Sequence, residues 1–303
     1  MSWRNIFITN PCKLSLKDNQ LKIRQEIDYF VPLEDIAAII IEAREVVLTA
    51  PLFSACAKYG VSIIFSDDNF SPCGQFLSFN QHHRSLKIIQ SQINISSQLK
   101  AILWQKIITR KILNQAFVLS TIGEENYAAY LTEICGKIKP NDVENIEARA
   151  AALYFPVLFG KGFARSRDNA VNIRLNYAYS IIRSAVSRNI CAYGFLPALG
   201  IWHKNELNPF NLSDDLIECF RQTADLFIYQ KYIEDGLQKD FNSSEKAKII
   251  KILNYEIISD GAKHSLLSAI DKTVKSLSTV LKNNDESYLI LPETVLPKET
   301  EYE

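Results

Sequence analysis

A chain of 303 residues, 47% hydrophobic and 22% charged, has material for two cores rather than one. No apolar run reaches the roughly 20 residues that cross a bilayer. The N-terminus also lacks the apolar segment of a secretory signal, so membrane insertion and export are both disfavoured and a cytoplasmic protein is predicted.

Six cysteines (Cys12, Cys56, Cys73, Cys135, Cys191, Cys219) occur without a C-x-x-C pair, which argues against a zinc ribbon and a disulfide framework. Most are expected to behave as small buried apolar residues in a reducing compartment. The formal net charge of zero is unevenly spread. Residues 1–80 carry 7 Lys/Arg against 9 Asp/Glu, residues 81–200 carry 15 against 7, and residues 201–303 carry 12 against 18. A basic middle between acidic flanks can grip a polyanion, because screening over about 10 Å makes local charge the relevant quantity. Mixed-sign solvated helix faces would explain part of the same asymmetry.

In chain order, "RNIFIT", "CKLSLK" and "QLKIRQ" read as strands broken by hairpin-like "TNP" and "KDN". "AAIIIEA" and "VSIIF" are β-branched runs suited to buried strands. Between them "APLFSACAKYG" has a helical period and ends at Gly60, a C-cap candidate. The fold class predicted is α+β. It comprises a β-rich, sandwich-like domain over 1–80, a larger all-α domain over 81–285 and an extended acidic tail over 286–303, with a hinge near Ser78 to His83. In the helical part, "SSQLKAILWQKIITRKILNQAFVL" places Leu99, Ile102, Leu103, Ile107, Ile108 and Leu113 on an apolar stripe, with Lys106, Arg110 and Lys111 elsewhere. "DVENIEARAAALYFPVLF" and "NIRLNYAYSIIRSAVSRNICAYG" continue the pattern. The two prolines and the acids of "LILPETVLPKETEYE" suggest an extended tail rather than a packed element.

Three residues could carry chemistry. Glu147, in "NIEARAAALYF", is either a surface glutamate or a carboxylate whose burial would require a paired cation. His203 follows a break at Pro197 and Gly200 and is either a structural hydrogen-bonding group or a ligand. In "NLSDDLIECF", Ser213 is the expected N-cap, with Asp214 and Asp215 in the first helical turn. Glu218 then shares their face, where like charges repel unless a cation relieves them. One histidine with carboxylates and no thiolate companion is a ligand set suited to Mg²⁺ or Mn²⁺, ions that serve phosphodiester chemistry. Downstream of Glu147, Lys161, Arg165, Arg167, Arg174, Arg183 and Arg188, with Asn176 and Tyr177 interleaved, form a candidate grip for a phosphate backbone, or else a basic solvated helix face.

The ordered segments "SWRNIFITN", "VPLEDIAAIIIE", "LWQKIITRKILNQA", "IEARAAALYF", "RLNYAYSIIRSAVSR", "YGFLPALGIWH", "NPFNLSDDLIECFR" and "TVKSLSTVL" together resemble the CRISPR-associated adaptation integrase, in its type II-like variant, from Met1 to about Pro292. The resemblance implies a β-rich dimerisation domain followed by a helical catalytic domain, and a divalent ion (Mg²⁺ or Mn²⁺) held by Glu147, His203 and Glu218. It also implies joining of the 3′-hydroxyl ends of short double-stranded DNA fragments to a CRISPR repeat by transesterification. The implied assembly is a pair of homodimers bridged by a small ferredoxin-like partner into a heterohexamer, with the RNA-guided effector nuclease of the same system as a further candidate partner. The acidic tail is a candidate for the contact with the small partner. Two departures from the family pattern are Cys219, where proline is usual, and Trp202, where a second histidine is common. Two rival readings share these residues: a metal-dependent nuclease that cuts branched DNA without joining it, and a non-catalytic DNA-binding scaffold.

Overall fold

The computed structural model describes residues 4–66, 72–76, 78, 84–235 and 241–298. The N-terminal part runs β1 (Arg4–Ile8), β2 (Cys12–Lys17), β3 (Gln20–Arg24), β4 (Asp28–Pro32), β5 (Ile36–Ile41), β6 (Val46–Leu48), α1 (Ala50–Tyr59), β7 (Ser62–Ser66) and β8 (Pro72–Phe76). Two sheets result, with orders β1-β5-β7-β8 and β4-β3-β2-β6. The "KDN" turn does make a hairpin between β2 and β3, because Asp18 and Asn19 both adopt the left-handed conformation that such a turn requires. The "TNP" break does not. β1 leaves for the other sheet and pairs in parallel with β5, whose residues are all buried and supply a wholly apolar neighbour. α1 ends as expected, with Gly60 left-handed at its C-cap.

Both sheets and α1 contribute to one apolar core, which includes Leu14, Leu21, Ile36, Ile39, Leu52 and Ile63. The opposite face of β5 and β7, through Ala37, Ala38, Ile40 and Ile64, joins the core of the helical part. That part begins with α2 (Ser85–Ile93), the long α3 (Ser97–Thr121), α4 (Glu125–Cys135), α5 (Ile146–Phe159) and α6 (Ala170–Ala192). It continues with α7 (Asn211–Ile217), α8 (Arg221–Asp235), α9 (Ser243–Ile250), β9 (Glu256–Ser259), β10 (Ala262–Ser265) and α10 (Leu266–Asn283). The β9–β10 hairpin departs from the all-α expectation. Its turn at Asp260 and Gly261 takes two consecutive left-handed residues, which "SDGA" supplies.

α6 is the central helix. Gln75 Nε2 donates to Ser184 O at 3.1 Å and Arg188 Nη1 donates to Ala37 O at 3.3 Å, tying this helix to the sheet above it. The segment expected to hinge the two parts lies outside the described residues apart from Ser78.

After α10 the chain makes one short 3-10 turn at Glu286–Tyr288 and then runs extended, yet it is packed rather than free. Asn114 Nδ2 on α3 donates to Pro292 O at 3.1 Å, and Asn114 Oδ1 accepts from Thr294 N at 3.2 Å. Arg110 pairs with Glu293 at 3.0 Å, and Ile258 N donates to Glu293 O at 3.0 Å, so the tail lies along the helical part and against β9 as far as Lys298. Its buried Leu289 and Thr294 explain why the prolines did not keep it in solvent. Of the six free cysteines, Cys56, Cys135 and Cys219 are buried, Cys12 and Cys191 partly so, and Cys73 is exposed.

Candidate active site

α3 organises the site. Trp104 and Lys111 are seven residues apart on it, two turns and about 10.5 Å along one face. The Trp104 indole stacks on Trp202, with centroids 5.3 Å apart and planes at 4°, and meets the His203 ring edge-on at 5.7 Å. The tryptophan that replaces a second histidine is thus a packing residue against α3. Two turns further on, Lys111 Nζ lies 2.5 Å from Glu147 Oε1 and 2.5 Å from Glu218 Oε2.

Glu147 sits in the first turn of α5. The preceding "PND" turn and Asn145 are left-handed at Asn141, Asp142 and Asn145. This bend brings the Asp142 carboxylate back to accept from the N–H groups of Ile146 and Glu147, both at 2.9 Å. Asp142 therefore satisfies two of the free donors at the start of α5 and fixes where Glu147 projects. Sequence reading missed it.

Glu218 ends α7, and the turn through Phe220 leads into α8. Its side chain is only 7% exposed, and Arg221 Nη2 contacts its Oε1 at 3.1 Å. Burial pushes the Glu218 carboxyl up, but Lys111 and Arg221 more than reverse this and hold it below the ordinary carboxylate range. Burial likewise opposes the Lys111 charge, and Glu218 with Glu147 outweighs it, leaving the ammonium above its ordinary value. Cys219 is buried beside Glu218, with Sγ 3.2 Å from Leu216 O, and its carbonyl accepts from Asn114 Nδ2 at 2.9 Å.

His203 depends on Asp215, which is fully buried in α7. The Asp215 carboxylate accepts from the backbone N–H groups of Ile201 at 2.5 Å, Trp202 at 3.0 Å and His203 at 3.1 Å, and its Oδ1 lies 2.7 Å from His203 Nδ1. That bond fixes Nδ1 toward Asp215 and leaves Nε2 as the ring nitrogen not engaged by Asp215. It is also the main reason the imidazole is held above its ordinary pKa, burial opposing and the nearby carboxylates assisting. The turn needs glycine at 200, since a Cβ there would stand 2.4 Å from His203 O and 2.8 Å from Asp215 Oδ2.

The three acids after position 213 thus have separate partners. Asp214 pairs with Arg183 at 2.7 Å, Asp215 holds the His203 turn, and Glu218 meets Lys111 and Arg221. Ser213 is not the N-cap. α7 starts three residues earlier than that cap implies, at Asn211 after Phe210, and the buried Ser213 hydroxyl bonds the Ser187 hydroxyl at 2.8 Å.

The candidate phosphate grip divides. Lys161, Arg167 and Asn176 are exposed, and the half-buried Arg165 donates to Asn176 at 2.6 Å and to Asn172. Arg183 is partly exposed and committed to Asp214. Arg174, Tyr177 and Arg188 are interior, which corrects their assignment to DNA contact. Arg174 is paired with Glu245, the Tyr177 hydroxyl donates to Glu42 at 3.2 Å, and Arg188 is spent on the sheet, where burial pulls it down to about 10. α6 is buried on several sides, and its arginines hold elements together.

Behind Glu218, the Arg221 guanidinium lies 4.8 Å from the Tyr179 ring centroid, and the Tyr179 and Tyr154 hydroxyls both donate to the buried Asp225. Burial pushes Asp225 up to about 6, although both hydroxyls favour its charge. A carboxyl raised by folding favours the folded state while it is protonated. Its contribution is therefore full below the unfolded value near 3.8 and is lost as pH rises through about 6. Melting scans between pH 4.5 and 7 should show the parent losing stability relative to Asp225→Asn as pH rises. Parallel curves would mean that Asp225 does not titrate in this window.

The donor types of Glu147, Glu218 and His203 suit a hard divalent ion. Their placement does not yet make a ligand cage. Among the described residues no three His, Cys, Asp or Glu side chains are gathered to hold an ion, and Lys111 Nζ stands between the two glutamates.

The family model described as CRISPR associated protein Cas1 matches residues 6–263. This chain belongs to the Cas1 family. It is 47% identical over 304 residues to the CRISPR-associated endonuclease Cas1 of Neisseria meningitidis serogroup C (strain 8013), with all of both chains covered. Its Cas1 fold is also that of a casposase solved bound to integration product, at a TM-score of 0.78 and 18% identity over 94% of this chain and 92% of the other. A chain of a Cas6-RT-Cas1–Cas2 complex superposes at a TM-score of 0.74 and 15% identity, over 95% of this chain and 36% of that one. Within this Cas1 fold no helix among the described residues is long and apolar enough to cross a membrane.

Proposed function

We propose that this Cas1-family chain is a divalent-metal-dependent DNA integrase of CRISPR spacer acquisition. It joins the 3′-hydroxyl ends of short double-stranded DNA fragments to a repeat phosphodiester. The observation that carries the reading is the convergence of Glu147 and Glu218 on one buried ammonium, on the same α3 face that supports the Asp215-oriented His203. Family membership and the likeness to a casposase bound to integration product support it.

In the reaction one P–O bond forms as another breaks, so no ATP is needed. The demands are removal of the attacking hydroxyl's proton, alignment, and compensation of charge on the phosphoryl oxygens. Mg²⁺ or Mn²⁺, with Glu147, His203 and Glu218 as its ligands, would supply part of that charge. Asp215 holds the imidazole in place, and Lys161, Arg165, Arg167 and Asn176 offer donors to the backbone of the incoming duplex. The likeness to a chain of a Cas6-RT-Cas1–Cas2 complex supports a Cas2-type partner, and a small partner of that type bridging two homodimers belongs to the same proposal. A cytoplasmic location and an encounter with the system's effector nuclease belong to the same proposal.

The test is a strand-transfer assay with a labelled short duplex bearing 3′-hydroxyls and a supercoiled plasmid carrying a repeat. It is run with Mn²⁺, Mg²⁺ or EDTA, with the Cas2-type partner, for the parent and for His203→Ala. Label entering the plasmid only with metal and only for the parent is the expected result. Free ends without joined strands would favour the branched-DNA nuclease, a reading that the "endonuclease" name of the Neisseria relative keeps open. DNA binding without either product would favour a non-catalytic scaffold.

A further inference from the structure

We infer that Lys111 is an internal counter-cation of the candidate ion site, and that its ammonium and the divalent ion compete for the same two carboxylates. The inference rests on the proposal that Glu147 and Glu218 face an ion. Its starting point is the mismatch between suitable donors and their placement.

Two contacts of 2.5 Å put Glu147 Oε1 and Glu218 Oε2 at most about 5 Å apart with Nζ between them. A Mg²⁺ ion at about 2.1 Å from both oxygens needs them within about 4.2 Å of each other and would then lie within about 4 Å of that nitrogen. Two like charges so close, in a site where Lys111 is 10% and Glu218 7% exposed, repel with little solvent screening. The charge balance points the same way. Lys111 and Arg221 cancel Glu147 and Glu218, so an arriving ion meets a site already neutralised.

Of the two cations, Lys111 is the one able to yield. Arg221 is a planar fork stacked on Tyr179, whereas Lys111 carries a point charge on a flexible four-carbon stem. Neither nearby aspartate offers the ion a substitute ligand, since Asp214 is engaged by Arg183 and Asp215 by the His203 turn. Lys111 therefore keeps two facing carboxylates compatible with folding when no ion is bound, at the cost of ion affinity.

The experiment is calorimetric titration of metal-stripped protein with Mn²⁺ at pH 7, with melting curves in parallel, for the parent, Lys111→Gln, Lys111→Met and Glu147→Gln. The neutral Lys111 variants should bind Mn²⁺ at least about tenfold more tightly than the parent. They should melt lower than the parent without ion and gain more from saturating Mn²⁺. A merely structural lysine predicts the opposite, a loosened site with unchanged or weaker Mn²⁺ affinity, and that result overturns the inference. If Lys111→Met does not fold without ion, recovery of a cooperative melt on adding Mn²⁺ supports the inference and failure to recover counts against it. Binding by the parent that is lost in Glu147→Gln but not tightened in either lysine variant would sink this inference alone. No binding by the parent or the lysine variants would remove the ion site itself.

Discussion

Replacing Asp215 by alanine is expected to lower the melting temperature by roughly 5–10 °C and to abolish detectable strand transfer. One carboxylate, with no solvent exposure, accepts from three consecutive backbone N–H groups and orients the His203 ring. Alanine leaves those donors facing a void that Gly200 cannot fill, and the loss of a buried charge from such a network costs about 3–5 kcal/mol. Asp215→Asn is the instructive companion. It keeps the volume and one acceptor oxygen, so it should recover part of the stability while leaving His203 without its negative partner. Thermal melts and strand-transfer yields read side by side decide the matter. A stable Asp215→Ala protein with parental activity would show that the turn holds itself and that His203 needs no such support.

Glu147→Gln is expected to separate the two properties. Strand transfer should fall at least about 100-fold, as when a group aimed at developing charge is removed. The melting temperature should move by no more than about 3 °C. Glu147 is the more exposed of the two carboxylates at 31%, and Lys111 keeps its contact with the buried Glu218 when Glu147 is neutral. Glu218→Gln should instead lose both, because Lys111 and Arg221 would then share a buried site with no carboxylate between them beyond the partly exposed Glu147. Equal destabilisation by the two substitutions would mean that the ion pair to Glu147 is as buried in its energetics as the one to Glu218. Full activity in Glu147→Gln would remove this residue from the chemistry.

Much of the fold was legible because it rests on local signals. Gly60 stops α1, Asp18 and Asn19 turn β2 into β3, and the apolar period marks α3 and α6. The partner of β1 was not legible. "TNP" looks like hairpin punctuation, and only the availability of the apolar β5 edge sends β1 to the other sheet. Reading the Lys161 to Arg188 stretch as one basic surface failed for a related reason. Arg174 and Arg188 have the sequence signature of phosphate contacts, but packing around α6 gave their charges to Glu245 and to the Ala37 carbonyl.

Lys111 shows a signal that was present and misread. Positions 104, 107, 108, 111 and 115 continue the buried face of α3 at helical spacing, so a lysine at 111 had to be interior and paired. Asp142 gave no comparable warning, since its role depends on a left-handed bend that folds its carboxylate onto the start of α5.

By itself the sequence determined most element types and the β-then-helical order, because periodicity and caps act within a few residues, whereas Glu147, His203 and Glu218 were open between structural and ligating roles until the family resemblance singled them out. Only the tertiary structure decided what each charge faces. Asp214, Asp215 and Glu218 are near neighbours in the chain, yet they meet Arg183, the His203 turn and Lys111, groups 31, 12 and 107 positions away. A charge in a folded interior is defined by the cation or donor that packing places within a few ångströms of it, and that pairing is a property of the assembled core.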